Sequence, residues 1–330
     1  MTLTLNPSLD RTVEVPGLVR GSVIRASGGR VDPGGKGVNV ARALLANGVA
    51  ARAVLPAGGP VGRELVELLD AEGVAMTAVP VAGATRSNLT LSEPDGTVTK
   101  INEGGARLDA GEIDLLADAV VRLVGPGDWA VLSGSLPTGV ATDVYARLTE
   151  RFVRAGLDVA LDTSGPALVR AVQAGPTIVK PNRDELSEAL GRDVRSLADA
   201  VEAAELLRSA GAAGVLASLG PDGAVLVGGG TNRNKGGDEG GREGGGVVFG
   251  DCVVAEPRSS VGAGDCLLAG YLAARSSGAG GHAALATALR WAAAAVELPG
   301  SAVPGPADVA RHEARLTDEV DRDRVLTRSG

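Results

Sequence analysis

Two periods of apolar residues run along this chain. Thr2-Leu3-Thr4-Leu5 alternates residue by residue, as a strand does, and stops at Asn6-Pro7. Thr12 to Val15 and Ser22 to Ala26 read as short extended segments, with Gly and Pro between them. From Gly37 to Asn47 the period changes: Val38, Ala41, Leu44 and Leu45 share one helical face, and Val61 to Glu72 forms a second helix. Ser87–Ser92 and Thr97–Ile101 flank Pro94-Asp95-Gly96, which predicts a hairpin. Beyond this the pattern is regular. Helices at Ala110–Val124, Ala141–Ala155, Gly165–Gln173 and Leu197–Ser209 alternate with strands at Trp129–Leu132, Asp158–Leu161, Thr177–Lys180 and Gly214–Ser218. Such alternation predicts a mostly parallel sheet covered on both faces, a three-layer α/β/α domain. The early strands do not fit it and are expected to form a separate small sheet, a lid drawn from about 11–32 and 86–103.

Two segments stand outside the pattern. Gly228–Gly246 is more than half glycine and separates the strand-like runs Ala224–Val227 and Val247–Val248. It reads as a flexible insertion at a hairpin tip, since mixed charges and the lack of a following helix speak against a phosphate loop. The tail after Arg311 (312–330) is charged and expected to be solvated.

Composition narrows the classes. The chain has 330 residues, 44% hydrophobic but only 2% aromatic, so Leu, Val and Ala must build the core. A net charge of −8 argues against a nucleic-acid partner but leaves room for an anionic substrate held by local Lys and Arg. Cys252 and Cys266 have no zinc-ligand spacing around them, and His282 and His312 lie in helical-looking surroundings without a motif. No apolar run is long enough to span a bilayer and no signal peptide is evident, so a cytoplasmic protein without a membrane partner is expected.

The chemistry concentrates in two glycine clusters. In Val261-Gly262-Ala263-Gly264-Asp265 three small residues precede one carboxylate and then a buried helix. Amides at a helix start attract phosphate, glycine allows its close approach, and an acid beside it can take a proton from an attacking hydroxyl. That combination suits phosphoryl transfer, although a glycine turn with Asp265 as a helix cap fits the same residues. The other cluster is Pro33-Gly34-Gly35-Lys36-Gly37-Val38-Asn39. It is no P-loop, because Arg30 and Gly37 occupy the places that need Gly and Ser or Thr. Nor is it a dinucleotide fingerprint, because Val40 stands where Gly or Ala is required. A Lys and an Asn at a helix start still suit a hydroxylated or phosphorylated ligand, while glycines placed for steric reasons alone also fit.

In order along the chain, Gly34-Gly35-Lys36-Gly37-Val38-Asn39-Val40-Ala41, Ser133-Gly134-Ser135-Leu136-Pro137, Lys180-Pro181-Asn182-Arg183-Asp184-Glu185, Ser218-Leu219-Gly220-Pro221-Asp222-Gly223-Ala224 and Val261–Asp265 resemble the ribokinase or PfkB family of carbohydrate kinases. Leu5-Asn6-Pro7-Ser8-Leu9-Asp10, Thr85-Arg86-Ser87-Asn88, Thr99-Lys100-Ile101-Asn102-Glu103 and Asp162-Thr163-Ser164-Gly165 are similar to its 1-phosphofructokinase and tagatose-6-phosphate kinase branch.

The resemblance implies a ribokinase-like fold and ATP-dependent phosphorylation of a ketohexose phosphate, fructose 1-phosphate first. Tagatose 6-phosphate or fructose 6-phosphate as acceptor, or a non-catalytic sugar-phosphate sensor, are the alternatives; an NAD oxidoreductase lacks its fingerprint.

Carried over residue by residue, the resemblance makes Asp265 the general base, ionised at neutral pH with an ordinary carboxylate pKa near ~4. Gly262, Ala263 and Gly264 would supply amides to the transferred phosphoryl. Asp10, Gly34, Gly35, Lys36 and Asn39 would hold the sugar, and Arg86, Lys100 and Ser135 its existing phosphate. Lys180, Asn182, Ser218, Gly220 and Gly223 would contact ATP, and Glu185 would organise Mg²⁺, through water. A monovalent cation and a homodimer through the lid are further implications. The start before Asn6 is short, and Gly104 stands where relatives often carry Pro.

Overall fold

The computed structural model describes residues 1–229 and 246–327. Its first half runs β1 (Thr2–Leu3), β2 (Ser8–Glu14), β3 (Gly28–Gly34), α1 (Lys36–Ala46), β4 (Ala53–Ala57), α2 (Gly59–Ala71), β5 (Met76–Pro80), β6 (Arg86–Ser92), β7 (Val98–Ile101), α3 (Ala110–Leu123) and β8 (Trp129–Ser133). The second half runs α4 (Val144–Arg154), β9 (Asp158–Asp162), α5 (Gly165–Val172), β10 (Ile178–Val179), α6 (Arg183–Leu190), α7 (Leu197–Ala210) and β11 (Gly214–Ser218). It closes with β12 (Ala224–Gly228), β13 (Val247–Cys252), α8 (Ala263–Ser276), α9 (Gly281–Val296), α10 (Pro306–Val309) and β14 (Ala314–Thr317).

Ten strands make the main sheet, in the order β14-β13-β12-β11-β10-β9-β8-β1-β4-β5. Pairing is parallel from β5 to β11 and antiparallel from β11 to β14. The alternation of side chains along each strand divides the core. Leu132, Leu161, Val179 and Val215 face α3, α4, α5 and α7, whereas Val131, Ala160, Ile178 and Leu216 face α1, α8 and α9. This is the ribokinase-like three-layer fold, with a separate four-stranded sheet ordered β3-β2-β6-β7. The small sheet is mixed: β2 pairs parallel with β6, and β3 and β7 are antiparallel edges.

Several expectations change. Thr2–Leu3 joins the centre of the main sheet between β4 and β8, not the small sheet. Ser22–Ala26 is irregular, and the strand there is Gly28–Gly34, seven residues in register with β2. The segment after Arg311 is not simply solvated: β14 pairs with β13, and Leu326 is buried in the core. His282 lies in α9, but His312 lies outside any helix. Strands β12 and β13 do pair antiparallel around the glycine-rich insertion, most of which (230–245) lies outside the described residues. Among the described residues no helix is long and apolar enough to cross a membrane.

The chain winds from β1 out to β4 and β5, then returns to β8 on the other side of β1. In open α/β sheets such a reversal leaves a crevice beyond the carboxyl ends of the strands, where ligands bind. The loops after β1, β8, β9 and β10 all open there.

Candidate active site

Helix α8 begins under Gly262, whose φ of 78° is left-handed backbone that favours glycine. The first bond inside the helix runs from the Cys266 amide to the Gly262 carbonyl, so the amides of Gly264 and Asp265 precede it. Asp265 sits in this first turn and is buried. Asn39, one turn into α1, donates its Nδ2 to Asp265 Oδ2 at 2.8 Å.

Four more charged groups share this space. Lys36 Nζ lies 2.8 Å from Asp162 Oδ1 and 3.8 Å from Glu185 Oε1. Lys180 Nζ lies 3.3 Å from Asp162 Oδ2, with both side chains buried. It also stands 3.4 Å from where a Cβ on Gly264 would be. Asp162 and Lys180 stand at the ends of β9 and β10, and Glu185 lies in the first turn of α6, whose capping box ties it to Asn182 in both directions at 2.9 Å.

This packing changes the acid chemistry. Burial, reinforced by the Asp162 charge, pushes the Asp265 carboxyl up to about 7, against the pull of Asn39, Lys180 and Lys36. The ordinary value expected from sequence is therefore corrected, and a carboxylate poised near neutrality is a better proton acceptor. Burial also raises Glu185, opposed by Lys36 and the Asn182 amide. For Lys36, burial alone would favour loss of the proton, but Asp162, Glu185 and Asp265 together hold it on.

A second cluster faces this one from the small sheet. Asp10 Oδ1 accepts from Ser8 Oγ at 2.7 Å and from Asn88 Nδ2 at 2.8 Å. Gly34 passes so close that a Cβ there would stand 2.3 Å from Asp10 Oδ2, so a side chain at this crossing would displace the Asp10 carboxylate. Two residues later the same chain delivers Lys36, which makes the clusters neighbours. Arg86 donates to the carbonyls of Asn6 at 3.1 Å and Glu103 at 3.2 Å, while its Nε is buried without a partner. Asn6 Nδ2 reaches Ser135 Oγ at 3.3 Å.

Ser218 sits beside Asn182, its amide 2.9 Å from the Pro181 carbonyl. Gly220 and Gly223 bound the turn that follows, both with positive φ. Lys100 is not brought to these groups: it is exposed on the edge strand β7, opposite Thr90, although in the same row of small-sheet side chains as Thr12. A groove of about 470 Å³ between α3 and α4 shares none of these residues, and its Arg151 and Arg154 are paired with Asp114, Asp118 and Glu150.

Sequence reading assigned no role to Asp162, Asn6 or Asn88. Asp162 had a usable signal, an acid at the carboxyl end of a strand in an alternating α/β pattern. Asn88 had none, because its contact with Asp10 depends on the β2–β6 register.

Two lysines and an amide-bearing helix start gathered with three buried carboxylates, at the switch point of a ribokinase-like sheet, fit a phosphotransferase of the sugar-kinase class. The chain belongs to the PfkB family: the profile described as pfkB family carbohydrate kinase matches residues 3–308. It is 37% identical over 286 residues to a 1-phosphofructokinase of Rhodobacter capsulatus, covering 84% of each chain. To a 1-phosphofructokinase of Haloferax volcanii it is 36% identical over 319 residues, covering 96% of this chain and 97% of that one. Its fold superposes on phosphofructokinase-2 from Escherichia coli, solved in complex with potassium, with a TM-score of 0.84 and 30% identity; the match covers 94% of this chain and 96% of that one.

Proposed function

We propose that the protein transfers the γ-phosphoryl group of ATP to a hydroxyl of fructose 1-phosphate, giving fructose 1,6-bisphosphate and ADP. The observation that carries this reading is the buried Asp265, held by Asn39 at 2.8 Å in the first turn of an amide-bearing helix start that Lys180 approaches at Gly264. The acceptor oxygen forms a bond to the γ-phosphorus, the bond from that phosphorus to the bridging oxygen breaks, and the hydroxyl proton passes to Asp265. Gly262, Ala263 and Gly264 present amides to the moving phosphoryl, where preorganised donors stabilise developing charge.

Lys180 and Asn182 hold the donor phosphates, and Ser218, Gly220 and Gly223 border the nucleotide. On the acceptor side, Asp10, Gly34, Gly35, Lys36 and Asn39 bind the sugar. Arg86 and Ser135 take its resident phosphate, with Lys100 at the rim; the unpartnered Arg86 Nε is a donor such an anion would satisfy. The small sheet then serves as a lid.

Among the described residues no three His, Cys, Asp or Glu side chains form a metal cage. Magnesium commonly needs only one or two carboxylates plus waters and phosphate oxygens, and Glu185 Oε1 and Asp162 Oδ2 fit that donor set. When bound, Mg²⁺ neutralises charge between the β- and γ-phosphates. Activation by a monovalent cation is supported by the similar protein solved with potassium. A dimer through the small sheet is supported by its open edges and by exposed Val98 and Ile101 on β7. A monomeric mass in sedimentation would reject it.

The test is ADP release with fructose 1-phosphate, fructose 6-phosphate, tagatose 6-phosphate and ribose. Fructose 1-phosphate is expected to give the highest kcat/KM, and comparable turnover of ribose rejects the reading. Asp265→Ala should abolish turnover while calorimetry still detects sugar-phosphate binding; unchanged turnover rejects the base.

A further inference from the structure

Beyond β14 the chain runs back as a strap over the start of α7. The Leu197 amide donates to the Arg324 carbonyl at 2.9 Å and the Ala198 amide to the Arg322 carbonyl at 3.0 Å. Leu326 is buried in the core, and its amide meets the Arg195 carbonyl at 2.9 Å. Thr327 then reaches Asp222, with its amide 2.7 Å from Oδ2 and its hydroxyl 2.7 Å from Oδ1. Asp222 is buried, so one strap residue supplies a donor to each oxygen of a carboxylate that burial would otherwise penalise. The Thr327 carbonyl in turn accepts from Arg183, the first residue of α6 and the neighbour of Asn182.

Thr327 therefore ties together the loops that follow β10 and β11. The second of these is the turn Gly220-Pro221-Asp222-Gly223. Its glycines have φ of +63° and +102°, so the turn is intrinsically easy to deform. A Cβ on Gly220 would meet nothing within 4 Å, which makes that side of the turn open space.

We propose that this strap is a positioning element of the nucleotide subsite, with Thr327 fixing the Gly220–Gly223 turn through Asp222. It rests on the reading above that this turn borders ATP. Thr327 touches no reacting group and acts only through Asp222. Without its hydroxyl, Asp222 Oδ1 loses its donor in a buried place and turns toward water, taking the turn with it. ATP must then restore the turn's conformation on binding.

Wild type, Thr327→Val, Thr327→Ser and Gly220→Ala are compared as full chains. ATP affinity is measured by calorimetry, ATP KM by ADP release with whichever sugar phosphate turns over, and melting temperature alongside. Thr327→Val is expected to weaken ATP on the order of tenfold, the effect of one hydrogen bond to a charged group. The acceptor KM should stay within about twofold, and Thr327→Ser should retain wild-type values. Gly220→Ala puts a methyl into the open side of the turn and should also weaken ATP. If Thr327→Val binds ATP normally while Gly220→Ala does not, the strap proposal fails and the reading of the turn survives. If neither affects ATP, the turn is not the nucleotide subsite and both fail. Equal loss in ATP and acceptor KM with a lower melting temperature would make the strap a general staple and overturn its role at the site.

Discussion

Replacing Asn39 by alanine isolates the one hydrogen bond that holds the Asp265 carboxylate in its charged form. Burial and Asp162 raise that carboxyl to about 7, and the Asn39 Nδ2 donor at 2.8 Å opposes them. A hydrogen bond to a charged group contributes about 1.5–3 kcal/mol. At about 1.4 kcal/mol per pKa unit, its loss raises the carboxyl by roughly one to two units. The base works only when deprotonated, so activity is present above its pKa and fades as pH falls through it. Read on kcat/KM, which reports the free enzyme, the acid limb expected near 7 in the wild type should therefore move to about 8–9, and the ionised fraction at pH 7 should fall roughly five- to fifty-fold. Asn39 is also assigned to the sugar, so the readout is the pH at which the limb falls and not the height of the profile. An acid limb that stays where the wild type has it, or moves to lower pH, would refute Asp265 as the titrating base.

Two other substitutions probe the same architecture. Gly34→Ala would set a Cβ 2.3 Å from Asp10 Oδ2 and 2.6 Å from Ser8 Oγ, forcing Asp10 off its partners; the acceptor KM should rise roughly tenfold with ATP KM unchanged, and an unaltered acceptor KM would remove Asp10 from the sugar site. Asp162→Ala strands the buried Lys180, and breaking such a pair costs about 3–5 kcal/mol, visible as an earlier urea midpoint together with lost turnover; an unshifted midpoint would mean that Lys180 has another adequate partner.

The regular middle of the chain was legible because each helix and strand there announces itself locally. Leu132, Leu161 and Leu216 lie on strands whose apolar runs leave little choice. The beginning was less so. Val23 and Ile24 have the β-branched character of a strand, yet Val23 is 88% exposed, while the glycine- and proline-containing Gly28–Gly34 pairs fully with β2. Register and cross-strand bonding outweighed propensity there. The glycine clusters announced phosphate chemistry, and Lys36, Asn39, Lys180, Glu185 and Asp265 do converge. What they could not announce was the buried Asp162 between two lysines, or the displaced acidity of Asp265, since Lys36 stands 126 residues from Asp162 and Asn39 226 residues from Asp265. The charges after Arg311 suggested solvent, but Leu316 and Leu326 pack inward between them.

Thr2 and Leu3 occupy the middle of the main sheet, in register with Ala53 and Val54 on one side and with Val131 and Leu132 on the other. Strand β1 must therefore wait for a partner more than a hundred residues further along the chain, a long-range closure that slows folding. Asn6 follows that strand, and Asp10 lies in β2, the next one. The side of the crevice that Asn6 and Asp10 build is therefore completed late, when the sheet closes beside it.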